Sequence, residues 1–226
     1  MRGPQSGSAP RTASCLASRT SCTPSCWCPG RTGASLQWPT TLAWYAAPHL
    51  RQTSAGLTAD GKHLAGRAHD EADNFFDNYK QAVPVKTLTE RVALYVQAFT
   101  LYSSVRPFGI SSILGGVDRE RGPQLFVIEP SGMFWGYHGC AIGKGKQFAK
   151  TEIEKLSLDT LSMREAVEEV ARIIYKAHDD AKDKEFELQL SWIGPESNFE
   201  HQPVPRDLHD EAVRKAQLAL EEEMED

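Results

Sequence analysis

The chain has 226 residues, 25 of them basic and 30 acidic, for a formal net charge of −5. That length suits one ordinary domain, the acidic balance argues against nucleic acid as a partner, and no apolar run is long enough for a membrane-spanning helix. The charge is unevenly placed: the first 54 residues hold five Arg, four Cys and no Lys, Asp, Glu, Val, Ile, Phe or Asn, whereas the remaining 172 carry 20 basic and 30 acidic residues.

This break near Ser54 divides the chain into residues 1–54 and residues 55–226. Cys15, Cys22, Cys26 and Cys28 lack the C-x2-C spacing of a zinc site, and no His precedes His49. Three readings fit the segment. It has the Arg- and Ser-rich composition of a transit peptide without the amphipathic period. It has too few aliphatic residues to bury, as in a disordered tail. Or it is a coding sequence translated out of frame, which the genetic code can test. Joining the third base of each codon to the first two of the next, Cys26-Trp27-Cys28 forces Leu-Val. The codons from Cys15 to Leu36 then permit Phe-Gly-Val-Glu-Asn-Lys-Leu and, after two further residues, Lys-Leu-Leu-Val-Pro-Gly-Ser-Asn-Arg-Arg-Leu-Phe. That string reads like protein. Between Tyr45 and Thr53 neither frame is legible.

From Ala55 onward the pattern is regular. Leu64, Ala68, Ala72, Phe75 and Tyr79 recur at three and four residues and predict a helix over 62–79. Thr87 and Glu90 have capping-box spacing before a second helix, whose face is Leu88, Val92, Tyr95, Phe99 and Tyr102 and which Pro107 stops. Strands follow over 110–117, 124–128 and 133–142, the last two joined through Glu129-Pro130-Ser131-Gly132 as a hairpin. A helix over 146–156 comes next. Another, capped by Ser162 and Glu165, has the core face Met163, Val167, Val170 and Ile174. Phe186, Leu188, Leu190 and Trp192 alternate with Glu187, Gln189 and Ser191 as in a strand with one buried face, and a last helix starts near Pro205 and runs into the acidic end. The fold class is α+β, with helices packed on antiparallel sheet.

Four stretches invite chemistry, and for each the plain reading is favoured. His138 and Cys140 could form a nucleophilic dyad, but a lone small Cys in an apolar strand usually packs. Gly139 to Lys146 contains Gly-Lys-Gly-Lys, yet it misses the phosphate-loop spacing and its terminal Ser or Thr. His178-Asp179-Asp180 could ligate a metal, but followed by Lys182 and Asp183 it reads as a solvated helix end. Thr40, in Pro39-Thr40-Thr41-Leu42-Ala43-Trp44, looks like a threonine nucleophile; it follows Pro39 rather than a Gly, and the first acid and first Lys are as late as Asp60 and Lys62. Catalytic, cofactor-binding and metal residues are therefore all expected to be none.

Arg106-Pro107-Phe108-Gly109-Ile110-Ser111, then Gly122-Pro123-Gln124-Leu125-Phe126-Val127-Ile128-Glu129-Pro130-Ser131-Gly132, then Gly139-Cys140-Ala141-Ile142-Gly143-Lys144 resemble the eukaryotic 20S proteasome alpha subunits. Lys150-Thr151-Glu152-Ile153-Glu154-Lys155-Leu156, His178-Asp179, Lys182-Asp183-Lys184 and Phe186-Glu187-Leu188 narrow the resemblance to the type-3 branch of that family. It runs from Ala55 to about Glu222 in the family's order.

The resemblance implies a proteasome-type, Ntn-hydrolase-like αββα sandwich and a place in the outer alpha ring. It implies a non-catalytic subunit of a threonine-protease complex, without cofactor, that contributes to ring assembly and gating in ubiquitin-dependent and independent protein degradation. Its partners would be neighbouring alpha subunits, the underlying beta ring and, through the ring, regulatory caps, in cytoplasm and nucleus. The family's Gly-Tyr-Asp start, its Gln-Val-Glu-Tyr-Ala run and any Lys before Lys62 are missing, so the first strands, the N-terminal helix and the gate are expected to be lost. A sandwich so shortened should show open edges and an uncovered apolar face. Two other functions compete: a stand-alone hydrolase with a terminal nucleophile, and a non-assembling isoform with residues 1–54 as a regulatory tail. The acidic tail has no Ser or Thr after Asn198, which excludes hydroxyl phosphorylation there.

Overall fold

A long apolar stripe needs a surface to cover, and in the computed structural model, which describes residues 14–20, 50–118, 121–157, 161–177 and 187–225, the first two helices find it on one sheet. Helix α1 spans Thr58–Tyr79 and α2 spans Val85–Ala98. Leu64, Ala68 and Ala72 from α1 and Leu88, Val92, Ala93 and Val96 from α2 are buried against Leu50, Ile110, Leu114, Phe126 and Ile128. The sheet beneath is built in the order β2, β3, β4, β5, from Leu50–Gly56, Ile110–Asp118, Gly122–Ile128 and Phe134–Gly136, every neighbour antiparallel.

A second, three-stranded sheet has the order β1, β6, β7, from Ser14–Thr20, Glu187–Ile193 and Gln202–Pro203, with β1 and β6 antiparallel and in register from Ser14 opposite Ile193 to Thr20 opposite Glu187. Strand β1 thus lies within the stretch that composition sets apart, and the break at Ser54 falls inside β2. Helices α3 (Lys146–Lys155), α4 (Met163–Ala177) and α5 (Arg206–Glu225) complete the fold. Val167 and Ala171 of α4 and Ala212 and Ala216 of α5 pack on Leu188, Leu190 and Trp192, as the alternation predicts. The His209 ring N–H donates to the Leu188 carbonyl at 2.9 Å and Lys215 donates to Glu168 at 2.7 Å, so α5 is tied both to β6 and to α4. Strand β1 lies against β3 and β4. The layers are therefore helix pair, sheet, sheet, helices, and the α+β class stands.

Side-chain alternation fixes what faces what. Ser112 and Leu114 pair with Ile128 and Phe126 of β4 on the face covered by α1 and α2, so Ile113, Leu125, Val127 and Trp135 lie on the opposite, inner face toward the second sheet. At the far end of that inner face Trp135, opposite Val127, is 55% exposed, and Met133 and Tyr137, which flank β5, are 51% and 40% exposed.

Several local expectations change. The capping box at Thr87 and Glu90 does not form: α2 begins three residues earlier, with Pro84 in place of Thr87 as N-cap residue and no side-chain cap, because Pro84 supplies the extended entry to the helix; Glu90 meets Lys86 at 3.9 Å instead. Helix α2 also ends at Ala98, not near Pro107. The last carbonyls are taken by three-residue turns, Thr100 N–H to Gln97 at 2.9 Å and Leu101 N–H to Ala98 at 3.1 Å, and the Thr100 hydroxyl donates to Gln97 at 2.6 Å. The strand expected over 133–142 shrinks to Phe134–Gly136. By contrast, the box at the start of α4 forms reciprocally, Ser162 N–H to the Glu165 carboxylate at 2.9 Å and Glu165 N–H to the Ser162 hydroxyl at 3.3 Å. The hairpin turn closes through Gly132 N–H to Glu129 at 2.9 Å.

Candidate functional site

The shortened β5 leaves His138 and Cys140 in a loop, so they share no strand face. Burial pushes the Cys140 thiol up to about 12, only partly opposed by Lys150, and a thiol held protonated at neutral pH is not a nucleophile. His138 is exposed. The Gly-Lys-Gly-Lys stretch is the entry to α3, with Gly145 in the left-handed region as its N-cap residue. Thr40 and His178-Asp179-Asp180 lie outside the described residues. Among the described residues no group of three or more His, Cys, Asp or Glu side chains could hold a metal, and no helix is long and apolar enough to cross a membrane.

The strongest polar constellation is one the sequence did not announce. Asp60, in the first turn of α1, is 7% exposed. Its carboxylate accepts two hydrogen bonds from the Arg106 guanidinium, at 2.7 and 2.8 Å, and one from the Gly109 backbone N–H at 2.9 Å. The Arg106 hydrogen bond, joined by that of Gly109, holds the Asp60 carboxyl down at about 2 against the opposing effect of burial. This clasp joins the α1 N-terminus to the entry of β3. Beside it His63 and Tyr95 share a hydrogen bond of 2.8 Å, and Tyr95, Phe99 and Phe108 form an aromatic cluster. Arg106-Pro107-Phe108-Gly109 carried the resemblance, but Asp60 stands 46 residues before Arg106, and sequence spacing does not reveal a contact that distant.

A group with a depressed folded pKa stabilises above its unfolded value, about 3.9 for Asp, and loses that contribution as pH falls. Acid unfolding followed in dilute solution is therefore expected to show a component between about pH 4 and about pH 2 that Asp60→Asn removes. At neutral pH Asp60→Ala is expected to cost about 2 kcal/mol by orphaning the Gly109 N–H and the Arg106 fork, part of it reduced by solvent around Arg106.

The outer side of the first helix pair is the other notable surface. Leu94 and Leu101, seven residues apart, are each 66% exposed, as is Tyr102, with Phe76 at 41% and Tyr79 at 58% on α1. Exposed apolar side chains of this size, on the two helices and on the turn after them, suit a contact surface.

The sequence that builds this sandwich has known relatives. A family model described as proteasome subunit matches residues 45–193, starting before the compositional break. The chain is 58% identical to proteasome subunit alpha type-3 of Arabidopsis thaliana, covering 77% of this chain and 70% of that one. It is 53% identical to the subunit of the same name in Acanthamoeba castellanii, covering 77% and 69%. With the probable proteasome subunit alpha type-7 of Schizosaccharomyces pombe it shares 45% identity over 79% and 70%. The chain therefore belongs to the proteasome subunit family, in its alpha branch, with alpha type-3 chains among its relatives.

Proposed function

We propose that this chain is a non-catalytic, structural subunit of the outer alpha ring of the 20S proteasome, where it shapes the ring rather than cleaving peptides. The similarity to alpha type-3 subunits over more than three quarters of the chain carries this reading. The αββα sandwich agrees with it, although it is short of the family's N-terminal part. The relatives are named as proteasome alpha subunits, which gives no support to a stand-alone hydrolase with a terminal nucleophile. The partners are the neighbouring alpha subunits and the beta ring beneath, with regulatory caps engaging through the ring, in cytoplasm and nucleus.

The exposed ridge Leu94, Leu101 and Tyr102 is the surface this reading buries on assembly. Replacing Leu101 and Tyr102 together by Asp is expected to lower incorporation of a tagged chain into proteasome particles at least about tenfold, since charges at the centre of an apolar contact cannot be paired. Because both side chains are two-thirds exposed in the chain itself, the far-UV spectrum of the variant should not change. Equal recovery of variant and parent in purified particles would overturn the assignment of this ridge.

A further inference from the structure

Helices α1 and α2 are joined by charge as well as by packing. The two oxygens of the Glu71 carboxylate are shared between two guanidinium groups, that of Arg67 on the same helix and, at 3.2 Å, that of Arg91 on α2. No other acid among the described residues bonds either group, so two cations share one anion. The Glu71 side chain is nearly covered, at 13% exposed, whereas those of Arg67 and Arg91 are 39% and 35% exposed. The Arg67 guanidinium lies over the Tyr95 ring, 4.9 Å from its centroid, and the Tyr95 hydroxyl is held by His63 at 2.8 Å. In this pose the Arg67 Nε–H is shut off from water and has no hydrogen-bond partner among the described residues.

We infer that Arg67 and Arg91 form a seat for an acidic side chain of a neighbouring subunit, beside the apolar ridge that begins at Leu94. The inference rests on the ring assignment and adds the chemistry of the partner: a carboxylate flanked by apolar side chains. Three observations select this occupant. Residues 55–226 carry ten more acidic than basic side chains, so a local excess of positive charge runs against the rest of the surface and complements an incoming acid. Arginine grips a carboxylate through two parallel N–H groups, and at Arg67 the Nε–H is unused. Leu94 follows Arg91 by three residues on α2, hence on the same helix face, and is 66% exposed; an apolar contact there would exclude water from the ion pair and strengthen it. A second copy of this chain fits worse, because its own excess of acidic side chains repels over the remaining surface.

The test uses proteasome particles purified from cells that express the tagged full-length chain. Arg67→Lys keeps the charge and supplies an amine, which a water-soluble carbodiimide joins as an amide to a carboxyl group in contact with it. Mass spectrometry should find the new amine linked to an Asp or Glu of another subunit. Arg67→Gln should lower incorporation at least about fivefold, while Lys146→Glu, an exposed change on α3, should leave it unchanged. Glu71→Gln releases both guanidinium groups to the partner and should incorporate at least as well as the parent. A link to Glu71 alone or to a second copy of this chain would overturn the inference, as would parent-like incorporation of Arg67→Gln. Equal losses with Glu71→Gln and Arg67→Gln would also overturn it, because the cluster would then serve the fold and not a partner. A parent chain absent from particles would overturn the ring assignment and this inference with it; a parent present in particles without the link to another subunit would overturn this inference alone.

Discussion

Expressed without partners, the chain is expected to accumulate largely as aggregate, with a broad thermal transition, strong binding of a hydrophobic dye and a weak near-ultraviolet signal. The inner-face corner around Trp135 and the ridge around Leu101 place large apolar surfaces in water on a single molecule. Strand β2 adds a weakness of its own. Arg51 points between the sheets, where burial pushes its guanidinium below the usual arginine range, and on the other face the Gln52 side-chain oxygen is buried without a hydrogen-bond partner among the described residues. An unsatisfied buried polar atom costs about 1–3 kcal/mol, a large share of a small domain's stability. Replacing Arg51 by Val and Gln52 by Leu is accordingly expected to raise the soluble fraction. A monomeric, cooperatively melting parent chain with native-like tertiary signal would show that the described layers suffice for a stable fold.

The single substitution with the largest expected effect is Gly56→Ala. Gly56 ends β2 at φ +131°, a region that side chains rarely adopt, and an added Cβ would stand 2.2 Å from the Gly109 carbonyl oxygen and 3.1 Å from the Ile110 Cα. Both neighbours are backbone, so neither can swing aside. The Gly109 carbonyl also accepts the Leu57 N–H at 3.1 Å, which locks the crossing in place. Strain together with the clash should destabilise by at least about 3 kcal/mol. Gly66 supplies the matched control: it lies inside α1 with nothing within 4 Å of an added Cβ, so Gly66→Ala should stabilise by about 1 kcal/mol through helix propensity. Soluble yield and resistance to protease read both effects without a reversible melt. Similar values for the two variants would remove Gly56 as the constraint on that corner.

What the residues announced, and what they hid, divides along physical lines. Helices α1, α4 and α5 and strand β6 were legible because each buries one continuous stripe, and a stripe leaves a period in the sequence. Strand β2 was invisible, since Arg51-Gln52-Thr53-Ser54 has no apolar alternation and the strand is held by its ladder to β3 rather than by side-chain pattern. The end of α2 was misplaced because Phe99 and Tyr102 keep the helical spacing past the point where the backbone turns away; Phe99 still packs on the core while Tyr102 is exposed. Among candidate functional features, the Arg106-Pro107-Phe108-Gly109 motif was visible but its partner Asp60 was not, because the clasp exists only after α1 and β3 have come together.

Strand β2 also bears on how far its side chains can change without moving the strand. All seven of its residues, from Leu50 opposite Gly116 to Gly56 opposite Ile110, keep their places on β3 even though the change of composition falls between Ser54 and Ala55. A ladder is written in peptide groups that every residue but proline shares, so it accepts a new set of side chains without moving. Changing the residue count is another matter, because a shift of one would exchange Leu50 and Gln52 with Arg51 and Thr53 across the two faces. The spacing between any junction and Gly56 is thus the property on which the fold insists, more than the identity of the residues that fill it.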